Sequence, residues 1–193
     1  MPAPIKLLAF AGSLRRESFN KKLVAIAAAG AQAAGATVTT VDLRDFPMPI
    51  FDEDLEKESG MPDGGKRWKE LLLSHDGFVI SSPEYNSSVT AALKNAIDWA
   101  SRAAPGEGGL AAFKGKTAVL MSASPGALGG LRGLVHLRAI LGNIGVLLLP
   151  DQIAISKAHE AFAPDGSLKD AKMQESIANL GRLLLTFTGK LKA

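Results

Sequence analysis

Apolar positions along the chain fall into two rhythms. The run at 5–10 is short, unbroken by polar alternation and closed by Gly12-Ser13, as a strand covered on both faces would be. Further strand candidates lie at 38–41 (ended by Asp42), 78–81, 117–121 and 146–149. Between them the spacing changes to that of a helix. Phe19, Leu23, Ile26, Ala27 and Gly30 share one helical face, and similar patterns cover 67–73, 91–100, 130–141 and 168–186. Alternating strands and helices predict a parallel sheet with helices on both sides. The stretches 44–65 and 103–115, rich in Pro, Gly or charge, are expected to be irregular, and long loops in compact domains usually carry function.

Five strands in 193 residues suit an α/β fold, a flavodoxin-like three-layer sandwich with a five-stranded parallel sheet in the order 2-1-3-4-5. Residues 1–193 are expected to form one such domain, with its ligand crevice at the carboxyl ends of the strands. Composition narrows the picture. Apolar residues make up 47% and charged residues 21%, the balance of a globular chain rather than a disordered one. The absence of cysteine excludes disulfides, thiolate metal sites and a cysteine nucleophile. A net charge of +3 without a basic stripe argues against nucleic acid as a partner. No apolar run approaches the roughly 18 residues of a spanning helix, and the N-terminus lacks the order of an export signal. The expectation is a cytoplasmic protein with no membrane partner.

Three predicted strand ends carry unusual residues. After the first comes Gly12-Ser13-Leu14-Arg15-Arg16-Glu17-Ser18-Phe19-Asn20, where small and hydroxyl residues precede a helix. Backbone N–H groups, the positive helix end, the hydroxyls of Ser13 and Ser18 and the Arg15 guanidinium would together form an anion site. The plainer alternative is Ser18 as a helix cap with both arginines solvated. After the third comes Ser82-Pro83-Glu84-Tyr85-Asn86-Ser87-Ser88, where Pro83 must end the strand. Tyr85 beside Glu84 and Asn86 could flank a planar ring, or simply pack on a surface turn. After the fourth comes Ser122-Ala123-Ser124-Pro125-Gly126-Ala127-Leu128-Gly129-Gly130, whose glycines allow close approach of backbone to a flat ligand. In a doubly wound sheet these ends meet in one crevice. Asp42 is expected to cap a turn, since the dinucleotide fingerprint that would make it a ribose partner is missing. Asp52, Glu53, Asp54, Glu56 and Glu58 read as a solvated loop, and the three histidines show no metal-ligand spacing. No nucleophile elbow or phosphate-binding lysine loop occurs, so no catalytic residue and no metal are assigned. A protein whose cofactor carries the reaction would look like this.

The motifs Gly12-Ser13-Leu14-Arg15-x-x-Ser18-x-Asn20, Pro83-Glu84-Tyr85-Asn86-x-Ser88 and Leu93-Lys94-Asn95-Ala96-x-Asp98-Trp99 closely resemble the NADPH-dependent FMN reductase family. That family includes chromate and quinone reductases and relatives of azoreductases. The likeness continues through Leu43-Arg44-Asp45-Phe46-Pro47, Gly129-Gly130-x-Arg132 and Phe162-x-x-Asp165-Gly166-x-Leu168. It implies that Ser13, Arg15, Ser18 and Asn20 hold the phosphate of a non-covalent FMN. It further implies that Pro83, Glu84, Tyr85 and Asn86 border the ribityl chain and ring, with Ser124 and Gly126 closing the other side. Two departures stand out: Thr90 replaces a helix-opening proline, and Leu134-Val135 replace a Gln and an aromatic residue used in subunit contacts.

The resemblance implies an oxidoreductase that takes a hydride from NADPH or NADH and passes it through FMN to quinones, chromate, azo compounds or flavin. The rival is a flavodoxin-type electron carrier or a non-catalytic flavin module. Carriers of that kind are strongly acidic, whereas this chain is +3. A homodimer or homotetramer is expected. The apolar run Phe46, Pro47, Met48, Pro49, Ile50, Phe51 and the helix ending at Trp99 are the candidate covers for the crevice.

Overall fold

The computed structural model describes residues 4–192. Five strands, β1 (Lys6–Ala11), β2 (Thr37–Asp42), β3 (Gly77–Ser81), β4 (Thr117–Ala123) and β5 (Leu147–Ile155), form one parallel sheet in the order β2-β1-β3-β4-β5. Every residue of β3 and β4 is buried, which is why these strands are continuous apolar runs. The helices are α1 (Phe19–Ala33), α2 (Glu53–Ser59), α3 (Asp63–Ser74), α4 (Ala91–Ala100), α5 (Leu131–Asn143), α6 (Ala158–Ala161) and α7 (Ala171–Lys192).

The alternation of side chains along each strand divides the core in two. Leu7, Ala9, Val79, Val119 and Met121 face α1 and α7, with Leu23, Ala27, Ile177, Leu180 and Leu184. Leu8, Phe10, Phe78, Ile80 and Leu120 face α3, α4 and α5, with Trp68, Leu72, Leu93, Ile97 and Leu137. Helices α1 and α7 cross so closely that a Cβ at Gly181 would lie 2.0 Å from the Ala27 carbonyl oxygen. Glycine is the residue that permits this contact.

Three expected boundaries change. Residues 44–65 are not wholly irregular, because α2 and the start of α3 lie within them. The five acids at 52–58 therefore belong to a helix and its cap: Asp52 accepts hydrogen bonds from the Asp54 and Leu55 backbones, and Glu56 pairs with Arg102. Helix α2 buries no residue, so it has no apolar stripe to announce it. β5 continues past Pro150 to Ile155 through a register shift, held where Arg138 on α5 donates to the Leu149 carbonyl and the Gln152 side chain. The last helix begins at Ala171, capped by Asp170, because Leu168 bridges back to Phe162.

The run 46–51 folds back onto its own chain instead of standing out. Phe46 is buried beside Trp68, Phe51 meets the Trp99 ring edge-on, and the Pro49 carbonyl accepts from Asn95 and Trp99. Ile50 remains exposed at 84%. Trp99 itself is fully buried within the chain. Among the described residues, no helix is long and apolar enough to cross a membrane.

Candidate active site

Strand β1 delivers Gly12, whose N–H bonds the Ser81 carbonyl of β3 at 2.9 Å, so the following loop stands directly over the strand ends. Ser18 caps α1, accepting from the Asn20 backbone at 3.3 Å, and Ser13 accepts from the Arg15 backbone at 3.3 Å. Both hydroxyls keep their protons free to donate. The Arg15 guanidinium lies 5.1 Å from the centre of the Phe19 ring, which stacks on Phe162. Asp42 caps the short turn Leu43–Asp45 and binds Lys21.

Asn20 has a different task from its neighbours. Its Oδ1 accepts from the Ser81 hydroxyl at 2.7 Å and the Ala123 N–H at 2.9 Å, while Nδ2 donates to the Ala123 carbonyl at 2.8 Å. One buried amide thus ties the start of α1 to the ends of β3 and β4. Thr90 forms a second tie. It caps α4 by accepting from the Leu93 N–H at 3.1 Å and donates to the Gly12 carbonyl at 2.6 Å. A proline there would lack the donor.

The turn after β3 is held by backbone bonds between Tyr85 and Ser88, with Asn86 and Ser87 at positive φ. Tyr85 is exposed at 57%. Glu84, on the wall of the crevice, is tied to the start of α5: Arg132 Nε donates to Oε1 at 2.8 Å and the Gly133 N–H to Oε2 at 3.2 Å. Burial works to raise the Glu84 carboxyl, but these hydrogen bonds and the Arg132 charge outweigh it and hold the group below its ordinary value. Gly130, at φ 94, passes directly over Ser122; a Cβ there would sit 1.9 Å from the Ser122 hydroxyl oxygen. That hydroxyl is buried and makes no hydrogen bond among the described residues.

Eight of the ten residues singled out from the sequence border one cleft of about 140 Å³: Ser13, Arg15, Ser18, Asn20, Pro83, Glu84, Tyr85 and Ser124. Asn86 and Gly126 stand outside its wall; the Gly126 N–H instead braces the Ser124 hydroxyl at 3.2 Å. The sequence reading missed Arg132 as the partner that fixes Glu84, and Thr90 as the link from Gly12 to α4. Asp98 pairs with Lys94 at 2.7 Å, one helical turn apart.

Among the described residues, the backbone N–H groups of Ser13, Leu14, Arg16 and Glu17 make no hydrogen bond. They gather at the N-terminus of a 15-residue helix beside two hydroxyls and an arginine, which is the donor set a phosphate monoester needs. The N–H groups of Glu84, Asn86 and Ser87 are likewise without acceptors, as the polar edge of a flat ring requires. The residues present fit FMN. A doubly wound sheet with these loops after β1, β3 and β4 defines a flavodoxin-like mononucleotide-binding protein.

Comparison with known proteins narrows the class. Residues 5–160 match the NADPH-dependent FMN reductases, and the chain belongs to that family. It is an oxidoreductase, with FMN as cofactor and NAD(P)H as donor. An NAD(P)H-dependent FMN reductase of Pseudomonas aeruginosa is 35% identical over the full length of both chains. A quinone reductase of Escherichia coli is 36% identical over 77% of this chain and 76% of its own. Among solved structures, FerB, a flavoenzyme NAD(P)H:(acceptor) oxidoreductase from Paracoccus denitrificans, superposes with a TM-score of 0.80. It is 28% identical, with 96% of this chain and 98% of that one covered.

Proposed function

We propose that this protein uses NAD(P)H to reduce small soluble acceptors, quinones foremost, through non-covalently bound FMN. The observation that carries the reading is the meeting of the 13–18 loop, the 83–88 turn and Ser124 at a single cleft. When bound, FMN supplies the exchange of hydride and electrons, and the chain supplies binding, orientation and electrostatics.

Ser13, Arg15, Ser18 and the free N–H groups of their loop hold the phosphate. Asn20 acts at one remove, by fixing that loop to the ends of β3 and β4. Pro83, Tyr85 and the backbones of Glu84 and Asn86 border the ribityl chain and ring, with Ser124 opposite, braced by Gly126. Glu84 holds its turn in place through Arg132, and its carboxylate stays ionised at neutral pH. A single strand-end crevice serves donor and acceptor in succession. Chromate, azo compounds and free flavin are the further acceptors to be tried, and the working unit is a homodimer or homotetramer.

The test is the purified protein assayed with NADPH or NADH and a soluble quinone. One FMN per chain and parallel lines in double-reciprocal plots are expected. A chain that takes up no FMN, or turns over no quinone with either nucleotide, refutes the reading. Intersecting lines refute the shared crevice.

A further inference from the structure

Of the eight arginines in the chain, five are engaged: Arg67, Arg102, Arg132, Arg138 and Arg182 donate to carbonyl, amide or carboxylate oxygens. Among the described residues, the guanidinium groups of Arg15, Arg16 and Arg44 have no hydrogen-bond or ion-pair partner. All three stand at one edge of the molecule, just beyond the ends of β1 and β2. Arg15 borders the cleft described above. With Arg15 given to the FMN phosphate, the charges of Arg16 and Arg44 are left unanswered at that edge.

Arg44 lies on the wall of a separate cleft of about 320 Å³, between the 13–18 loop, the segment after β2 and the start of α4. Leu43 and Phe46 form buried apolar wall; Met48 and the half-exposed Leu14 add apolar surface nearer solvent. Leu14 sits between Ser13 and Arg15, so consecutive residues of one loop serve the two clefts. Arg44 is the only charged side chain on the wall among the described residues. The polar group of Asn95 is already spent on the Phe51 N–H and the Pro49 carbonyl. Neighbouring Asp42 is likewise occupied by Lys21. The volume is at the lower end for a small-molecule site, of about 300–1,000 Å³, enough for one ring system with an anionic substituent. A larger cleft of about 490 Å³ beside α3 differs in the point that matters: its cations Lys66, Lys69 and Arg102 are each paired with a carboxylate.

We propose that this cleft seats the adenosine end of the nicotinamide donor, and that the Arg44 guanidinium meets the 2′-phosphate, selecting NADPH over NADH. The inference rests on the functional reading above and names the donor specificity of that site. A planar guanidinium without a partner suits a phosphate better than a point charge would. The apolar wall accepts a purine face.

The test uses the holoprotein and its Arg44→Gln and Arg44→Lys variants. The ratio of kcat/KM for NADPH to kcat/KM for NADH should fall about tenfold or more in Arg44→Gln, the loss of one charge-assisted contact, with partial recovery in Arg44→Lys. Calorimetric titration supplies a readout free of turnover: 2′,5′-ADP should bind more tightly than 5′-AMP, and Arg44→Gln should erase the difference. An unchanged ratio, or equal binding of the two nucleotides by the parent protein, overturns the proposal. A change in sedimentation caused by Arg44→Gln, with no change in nucleotide discrimination, assigns the cleft to a second copy of the chain and overturns it too. If the parent turns over neither nucleotide, the functional reading fails, while the 2′,5′-ADP titration still judges the cleft.

Discussion

Replacing Asn20 by alanine strips three buried groups of their partner at once. The Ser81 hydroxyl, the Ala123 N–H and the Ala123 carbonyl all bond to this one amide at 2.7–2.9 Å. A buried group left unpaired costs about 1–3 kcal/mol. The Ser81 hydroxyl can turn and water can reach part of the gap, so the expected loss is about 4 kcal/mol rather than the sum of three maxima. For a chain of this size each kcal/mol lowers Tm by about 2–4 °C, which gives a drop of about 8–16 °C. Urea unfolding followed by circular dichroism, with and without added FMN, measures it. Asn179→Ala is the control, since that exposed amide makes only a 3.4 Å contact with Arg182; it should change stability by no more than about 0.5 kcal/mol. Because the same amide anchors the 13–18 loop, FMN affinity should fall together with stability. A loss below about 1 kcal/mol without FMN would refute the claim that Asn20 binds the strand ends together.

Arg15→Ala should weaken FMN about tenfold or more while changing riboflavin affinity little, because riboflavin offers the guanidinium no phosphate; equal weakening in a fluorescence titration removes Arg15 from the phosphate site. Glu84 has a lowered carboxyl pKa in the fold, so its contribution is complete above the ordinary glutamate value of about 4.3 and is lost as pH falls through the folded value. Glu84→Gln should therefore reduce stability at neutral pH and flatten the acid limb of a Tm-against-pH curve; an unchanged acid limb counts against the Arg132 pairing. Sedimentation of the holoprotein at micromolar concentration should give a dimer or tetramer, and a single species at the mass of one 20.1 kDa chain would exclude both.

The central strands β1, β3 and β4 could be read from the chain because burial on both faces leaves a continuous apolar run, as in Phe78, Val79 and Ile80. The second half of β5 could not. Pro150 and Asp151 interrupt the run, and what carries the strand across them is Arg138, a residue of a different helix. Helix α2 escaped for the opposite reason: its stability comes from the Asp52 cap and the Glu56–Arg102 pair, and neither leaves a periodic trace. At the site, the small and hydroxyl residues at strand ends were legible because position in a doubly wound sheet dictates convergence. The division of labour among them was not. That Asn20 serves the chain and Glu84 serves α5 depends on partners 103 and 48 residues away, which only the folded sheet brings into reach.

The two core layers differ in what light can see. Both tryptophans, Trp68 and Trp99, are fully buried on the α3–α4 side, with Phe10, Phe46, Phe51, Phe78 and Phe113 around them. The α1–α7 side is built from alanine, leucine, valine, isoleucine and methionine, with the Phe19–Phe162 stack as its aromatic pair. Intrinsic tryptophan fluorescence therefore reports on one layer and is blind to the other. Were α7 to peel away from α1 while the rest stayed folded, the emission spectrum would hardly move, whereas far-ultraviolet dichroism would register the melting of a 22-residue helix. Overlaying the two signals during unfolding turns an uneven distribution of rings into a measure of whether the layers come apart together.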